Sequence, residues 1–227
     1  MKTLIMRTLT GIAYLSILAL AFFVSKYALL MVFTFFLLMG VIEYIRLVQK
    51  FPVPKSNMQR IMQRQILPVV WIIFPIILLE YWCIRWNATN IMVALFIILC
   101  MNDTLAYIFG SLLGKHKMAP KISPKKSWEG FFGGLICTIA FTYFIMHISY
   151  FQNDTFTKPY IWMGFAFVVI IAGTLGDLAE SKLKRFAQQK DSGSILPGHG
   201  GMLDRLDSML FAVPVGFIYW EIAGMYI

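Results

Sequence analysis

Charge is scarce in this chain. Only 14% of its residues are Asp, Glu, Lys or Arg, against about a quarter in an ordinary soluble domain, so the fold cannot be wrapped in a water-facing surface of normal polarity. Cysteine and histidine are equally thin, at three residues each. Cys83, Cys100 and Cys137 are odd in number, far apart and mostly inside apolar runs, which excludes a disulfide framework and a CxxC metal site and leaves packed thiols. Internal repeats and low-complexity tracts are not evident.

What fills the 227 residues is apolar: 59% are hydrophobic and 16% aromatic. The composition is that of an all-α, polytopic integral membrane protein, read as one membrane domain over residues 1–227. Lys and Arg number 20 against 11 Asp and Glu, a net charge of +9. Nucleic acid is rejected as a partner because aromatic-rich apolar runs separate the basic clusters, so the excess is assigned to topology. Lys2 and Arg7 before an apolar run, with Ala19-Leu20-Ala21 after it, resemble a signal peptide. Apolar character resumes directly after Ser25-Lys26, so a retained first helix is expected.

The run from Thr8 to Val48 is about twice the length of about 20 residues that one helix needs to cross the hydrocarbon. Spans are expected near 5–24, 27–48, 66–84, 91–113, 128–150, 159–181 and 205–226, about seven in all, with Gln49 to Gln65 as a polar segment broken by Pro52 and Pro54. On that topology only Lys26, Arg85 and Lys158 fall on one side, and every other Lys and Arg falls on the opposite side. The positive-inside rule then puts the amino terminus in the cytoplasm and the carboxyl terminus outside. Asn87-Ala88-Thr89 and Asn153-Asp154-Thr155 match a glycosylation sequon in short outside loops, and nothing is built on them.

The cytoplasmic stretch Ser181 to Ser208 carries the densest chemistry: Lys182, Lys184, Arg185, Lys190 and Arg205 beside Asp191, Asp204 and Asp207, with glycines among them. Asp177, Ser181 and Lys184 stand at i, i+4 and i+7 on one helix face, with Glu180 beside them. A solvated helix end accounts for Lys184 and Glu180, but less well for Asp177. Asp204 and Asp207 either complement the positive end of a helix or, with Asp177, hold a cation, for which hard oxygen ligands suit Mg²⁺ bound together with substrate phosphates. Pro197 to Gly201 offers backbone N–H groups to an anion. His199 within it can hold the loop, bind a phosphate or move a proton.

Upstream, Asp103 lies at membrane depth, where it either bonds across helices or lines a polar cavity. Lys115 to Gly130 forms a basic turn into the next span, including Ser123, Lys125, Lys126, Ser127 and Glu129. Its charge serves topology and anionic lipid, or else a lipid or nucleotide phosphate, with Ser127 and Glu129 helping to start the helix.

At these residues the chain resembles the bacterial CDP-diacylglycerol synthases, the phosphatidate cytidylyltransferases. The signature is carried by Ser181, Lys184-Arg185, Lys190-Asp191, Pro197 to Gly201 and Asp204 to Asp207. Asn102-Asp103 to Gly110, Ser123 to Gly130 and Gly176-Asp177 to Ser181 are also similar to the family. The resemblance covers residues 101–210, the catalytic region, while residues 1–100 match only in being hydrophobic. It implies transfer of a cytidylyl group from CTP to phosphatidate, with release of pyrophosphate and with Mg²⁺. Lys184, Arg185, Asp191, His199 and Arg205 are then expected to be catalytic. Asp103, Ser123, Lys125, Lys126, Ser127, Ser181, Lys190, Gly200 and Gly201 are expected to bind substrate, and Asp177, Asp204 and Asp207 to hold the metal. CTP, phosphatidate and membrane lipids are the expected partners, with homodimerisation left open, and the expected location is the bacterial inner membrane with the site on its cytoplasmic side. A kinase of polyprenol type and a transporter of phosphorylated solutes are the rivals. A transporter calls for polar groups near the midplane in matching halves, whereas here they cluster on one side.

Overall fold

The computed structural model describes residues 11, 13, 16–54, 56–86, 89–145, 158–193, 195 and 200–225. Its helices are α1 (Lys26–Val48), α2 (Asn57–Ile61), α3 (Phe74–Trp86), α4 (Thr89–Leu113), α5 (Trp128–Ile145), α6 (Pro159–Phe186) and α7 (Leu203–Met225), with strands β1 (Lys117–Ala119) and β2 (Ser123–Ser127) between α4 and α5. Among the described residues six helices are long and apolar enough to cross a membrane, which makes this an integral membrane protein. They correspond to the second through seventh expected spans. Of the expected first span, residues 11, 13 and 16–24 are described and helical, and the others lie outside the described residues. Asn87 and Ala88 of the first sequon and the whole of the second also lie outside the described residues.

One boundary moves substantially. The segment expected to be a polar connector through Gln65 becomes helical at Asn57, because Ser56 caps it and accepts a hydrogen bond from Gln59 N at 3.1 Å. The helix then widens into π-helical turns at Met62–Ile66 and Val69–Ile73. Pro68 lies between these turns and has no N–H to give an ordinary α-helical partner, and the widened turns accommodate its ring without ending the helix. A second difference is the basic turn, which forms an antiparallel hairpin pairing Lys117 with Ser127 and Ala119 with Ser123. The architecture otherwise follows the apolar runs.

The chain forms two compact units: Met1–Thr89 with Glu180–Leu210, and Asn90–Ala179 with Phe211–Ile227. In the first, α1 buries Leu29, Phe33, Phe36, Gly40, Tyr44 and Leu47 along one face, the spacing expected of a single helical stripe. Tyr44 stacks edge-on against Trp71 with centroids 6.3 Å apart and donates its hydroxyl to Gln63 O at 2.8 Å. That bond satisfies a carbonyl within a π turn, so the irregular helix is held from α1.

In the second unit, α4 and α5 meet through small residues. A Cβ at Gly130 would stand 2.6 Å from Ala106 O and 3.0 Å from Gly110 Cα, and one at Gly134 would stand 3.0 Å from Ala106 N. Close backbone approach of this kind supplies contact where lipid removes the hydrophobic drive between helices. Gly130→Leu is therefore expected to push the pair apart and destabilise the protein by about 1–3 kcal/mol, read as a lower unfolding temperature in detergent. Elsewhere in this unit Trp220 packs on Trp162 and Phe165 with centroids 5.0 and 5.2 Å apart.

Candidate active site

Within the first unit, α6 ends in a turn that leads toward Ser192. Gln189 N bonds to Lys184 O at 2.8 Å and Gln188 N to Arg185 O at 3.0 Å, with Gln188 left-handed at φ 55. This is the Schellman closure, usually made with glycine. Lys50 Nζ reaches Gln189 Oε1 at 3.1 Å, and Phe51 stacks edge-on against Phe186 at 5.0 Å. The segment after α1 therefore steadies the exit of α6.

Past that turn the chain wraps around one carboxylate. Asp204 Oδ2 accepts from Ser192 N at 2.9 Å, Ser192 Oγ at 3.0 Å and Gly201 N at 2.8 Å, and Asp204 Oδ1 lies 2.6 Å from Lys184 Nζ. Lys184 also forms an ion pair with Glu180 one turn earlier on α6. The Glu180 side chain is 0% exposed, that of Asp204 8% and that of Lys184 12%, so one ammonium lies between two nearly dry carboxylates. Gly200 is left-handed at φ 83, and a Cβ there would stand 2.7 Å from Asp204 Oδ2. Glycine is needed at this position on both counts.

A residue that sequence reasoning passed over joins this arrangement. Glu43 of α1 is buried, and its Oε2 accepts from Ser192 Oγ at 3.0 Å and Leu203 N at 2.9 Å. Ser192 thus spans Glu43 and Asp204. Glu43 is the sole acidic residue of α1, and a carboxylate inside an apolar span is itself a signal; the absence of any motif around it is why it was missed.

The remaining expected residues of this unit are arranged around that core. Arg185 is exposed and donates from Nη1 to Gln189 O at 3.3 Å. Lys190, Asp191 and Arg205 are exposed, Ser181 is half-buried, and Gly201 is buried. Asp207, half-buried one turn after Asp204, accepts from Ser208 N at 2.7 Å. His199, with Pro197 and Gly198, lies outside the described residues. Among the described residues no three His, Cys, Asp or Glu side chains group as a ready-made metal cage.

In the second unit the basic hairpin has its own order. Lys126 Nζ lies 2.5 Å from Asp177 Oδ2, joining two residues that the sequence reading placed in separate roles. Ser127 is buried and caps α5, accepting from Gly130 N at 3.2 Å. Glu129 accepts from His116 N at 3.1 Å and lies 2.6 Å from His116 Nδ1, tying the start of the hairpin to the start of α5. Ser123 is half-buried, and Lys125 and Asp103 are exposed. Beside Asp103, Asn102 is buried, and its Oδ1 accepts no hydrogen bond among the described residues.

The sequence model of the cytidylyltransferase family matches residues 49–223, covering the hairpin, Lys184, the glycine loop and Asp204. The chain belongs to the cytidylyltransferase family. It is 45% identical over 120 residues to a phosphatidate cytidylyltransferase of Staphylococcus aureus (strain COL), covering 53% of this chain and 45% of that one. It is 42% identical over 137 residues to a phosphatidate cytidylyltransferase of Staphylococcus haemolyticus, covering 60% and 50%. With one from Staphylococcus epidermidis it shares 47% over 123 residues, covering 53% and 45%. The chain spans about half the length of the curated relatives it matches. Glu43 lies outside the stretch matched by the cytidylyltransferase family, although its carboxylate touches residues inside that stretch.

Proposed function

We propose that this protein transfers the cytidylyl group of CTP to phosphatidate, giving CDP-diacylglycerol and pyrophosphate. An oxygen of the phosphatidate phosphate attacks the α-phosphorus of CTP, and the bond from that phosphorus to the β-phosphate bridging oxygen breaks, so pyrophosphate leaves with the bonding electrons. The nucleophile is already ionised near neutral pH and needs no Ser, Cys or His to activate it. What such a transfer requires is alignment of two anions and neutralisation of charge. The observation that carries the reading is the family match over residues 49–223, which contains the buried Lys184–Asp204 pair and the Ser192 and Gly201 N–H groups that bond to Asp204.

In this reading Arg185, Lys190 and Arg205, all exposed around the loop, receive substrate phosphates, and Lys184 sets the field at the base of the site. His199 enters on sequence grounds alone, as do Asp103, Lys125 and Lys126 as borders for the lipid phosphate. Mg²⁺ fits the hard carboxylate donors, and because it commonly takes one or two protein carboxylates plus substrate phosphates, a preformed group of three is not required. Asp204 is already engaged at both oxygens, so it is assigned to holding the loop, and Asp207 is the proposed ligand of the first unit. Asp177 enters as a ligand on sequence grounds. When bound, Mg²⁺ neutralises triphosphate charge and polarises the α-phosphoryl group. CTP is water-soluble and phosphatidate is not, so the reaction belongs at a membrane edge. The distribution of Lys and Arg supports the cytoplasmic face as that edge, and the bacterial relatives support a bacterial inner membrane as its location.

Purified full chain supplied with labelled CTP, phosphatidate vesicles and Mg²⁺ is expected to yield label in a chloroform-soluble product. Wild-type protein making no CDP-lipid from any glycerolipid phosphate overturns the reading. Asp207→Asn is expected to lower turnover by orders of magnitude and to raise the Mg²⁺ concentration needed for half-maximal rate. Simple dipole complementation would instead forfeit about 0.3–1 kcal/mol of stability and spare turnover.

A further inference from the structure

Glu43 is 1% exposed, and a carboxylate that dry is expensive unless its oxygens are used. Oε2 is used twice, by Ser192 Oγ and by Leu203 N. Oε1 has no hydrogen-bond partner among the described residues. Two glycines close over it: a Cβ at Gly193 would stand 2.8 Å from Glu43 Cδ, and one at Gly201 would stand 2.7 Å from the same atom. Ser192, Gly193, Gly201 and Leu203 therefore all close on this side chain.

The consequence runs through Ser192. Its hydroxyl has a single hydrogen and faces carboxylate oxygens of both Glu43 and Asp204 at 3.0 Å. Serving one leaves the other dependent on backbone N–H groups: Leu203 N for Glu43, and Ser192 N with Gly201 N for Asp204. Leu203 opens α7, so Glu43 also supplies negative charge at the positive end of the helix that carries Asp204 and Asp207. The contact thereby anchors the first residue of α7 to α1.

We propose that Glu43 is a positioning residue of the cytidylyl-transfer site: through Ser192 and the α7 N-terminus it holds Ser192, Gly193, Gly201 and Asp204 in the substrate-receiving arrangement, without touching substrate. The proposal rests on the function proposed above, and its primary test is independent of turnover. Amide hydrogen exchange of the full chain in detergent or nanodisc, followed for the segment 190–204, is expected to rise about tenfold or more in Glu43→Ala, and less in Glu43→Gln, whose one amide oxygen still accepts from Leu203 N and Ser192 Oγ. Exchange in α4 and α5 is expected to be unchanged. Unaltered protection of 190–204 in Glu43→Ala overturns the proposal whatever the activity of the wild type.

Turnover gives the second readout. Glu43→Ala is expected to lower kcat about 10²-fold, the scale on which small misplacements act, with the KM for phosphatidate within about threefold of wild type. Glu43→Gln recovers most of the rate. Ser192→Ala combined with Glu43→Ala is expected to be no worse than the more damaging single change, the mark of residues acting in one chain. Fully multiplicative losses, or Glu43→Gln as damaging as Glu43→Ala, count against the proposal. If Glu43→Ala does not fold, Glu43→Gln and Ser192→Ala carry the exchange test, and unaltered protection in both overturns it. An inactive wild type with the expected exchange pattern sinks the reaction and leaves the positioning role standing.

Discussion

Replacing Lys184 by Met is expected to be the most damaging single change in the protein. The ammonium lies 2.6 Å from Asp204 and pairs with Glu180, and both carboxylates are almost fully buried. Methionine keeps the length and the apolar stem while deleting the charge, so two dry anions are left facing each other. Removing one partner of a buried pair typically forfeits about 3–5 kcal/mol, far more than an exposed pair is worth. Purified Lys184→Met should therefore unfold at a clearly lower temperature, and whatever folds should retain about 10⁻³ of the wild-type rate or less, since a preorganised charge is lost at the base of the site. Lys184→Arg is expected to fall between the two, because a planar, forked guanidinium must replace a compact ammonium in the same space. Wild-type turnover in Lys184→Met would show that the pair serves folding alone.

The second large effect is expected at Asp204→Asn. An amide can place its oxygen toward the three donors now on Oδ2 or toward Lys184, but not both. With the oxygen toward the loop, the NH₂ group confronts the ammonium; with the oxygen toward Lys184, it confronts Ser192 N and Gly201 N. Each orientation leaves donors facing donors in a poorly hydrated place, which is more costly than deleting both partners. The rate is expected to fall about 10²–10³-fold, with increased amide exchange from Ser192 to Gly201. A variant that lost only the stability due to helix-dipole complementation, with full activity, would contradict this account.

The two effects are not independent, because Lys184 and Asp204 touch. The double variant Lys184→Met with Asp204→Asn removes one charge of each sign and is expected to be more stable than the sum of the single losses predicts. Activity is not expected to return with stability. That separation distinguishes what the pair does for the fold from what it does for the chemistry.

The spans and the signature segment were legible in the sequence because both are local. Apolar runs of membrane length need no partner to be recognised, and six of the seven expected spans are found as helices among the described residues. Lys184, Gly200, Gly201, Asp204 and Asp207 lie within one short stretch whose residue types already suggest phosphate chemistry. The helical start at Asn57 was not legible, since Pro52, Pro54 and several polar side chains look like a connector until the cap at Ser56 and the π turns around Pro68 are seen.

Sequence alone therefore determined the membrane class, the approximate spans and the stretch in which the chemistry gathers, because hydrophobic length and residue type are properties of neighbouring positions. Tertiary structure alone decided which groups are partners. Lys184 reaches Asp204 across 20 residues, and Glu43 reaches Ser192 across 149 and Leu203 across 160. No periodicity encodes those pairings, since they depend on where the end of α6 and the start of α7 pack against α1. Within the stretch that reads as a basic loop, Ser192, Gly200 and Gly201 close around Asp204, and Ser192 and Gly201 meet the carboxylate of Glu43 on α1.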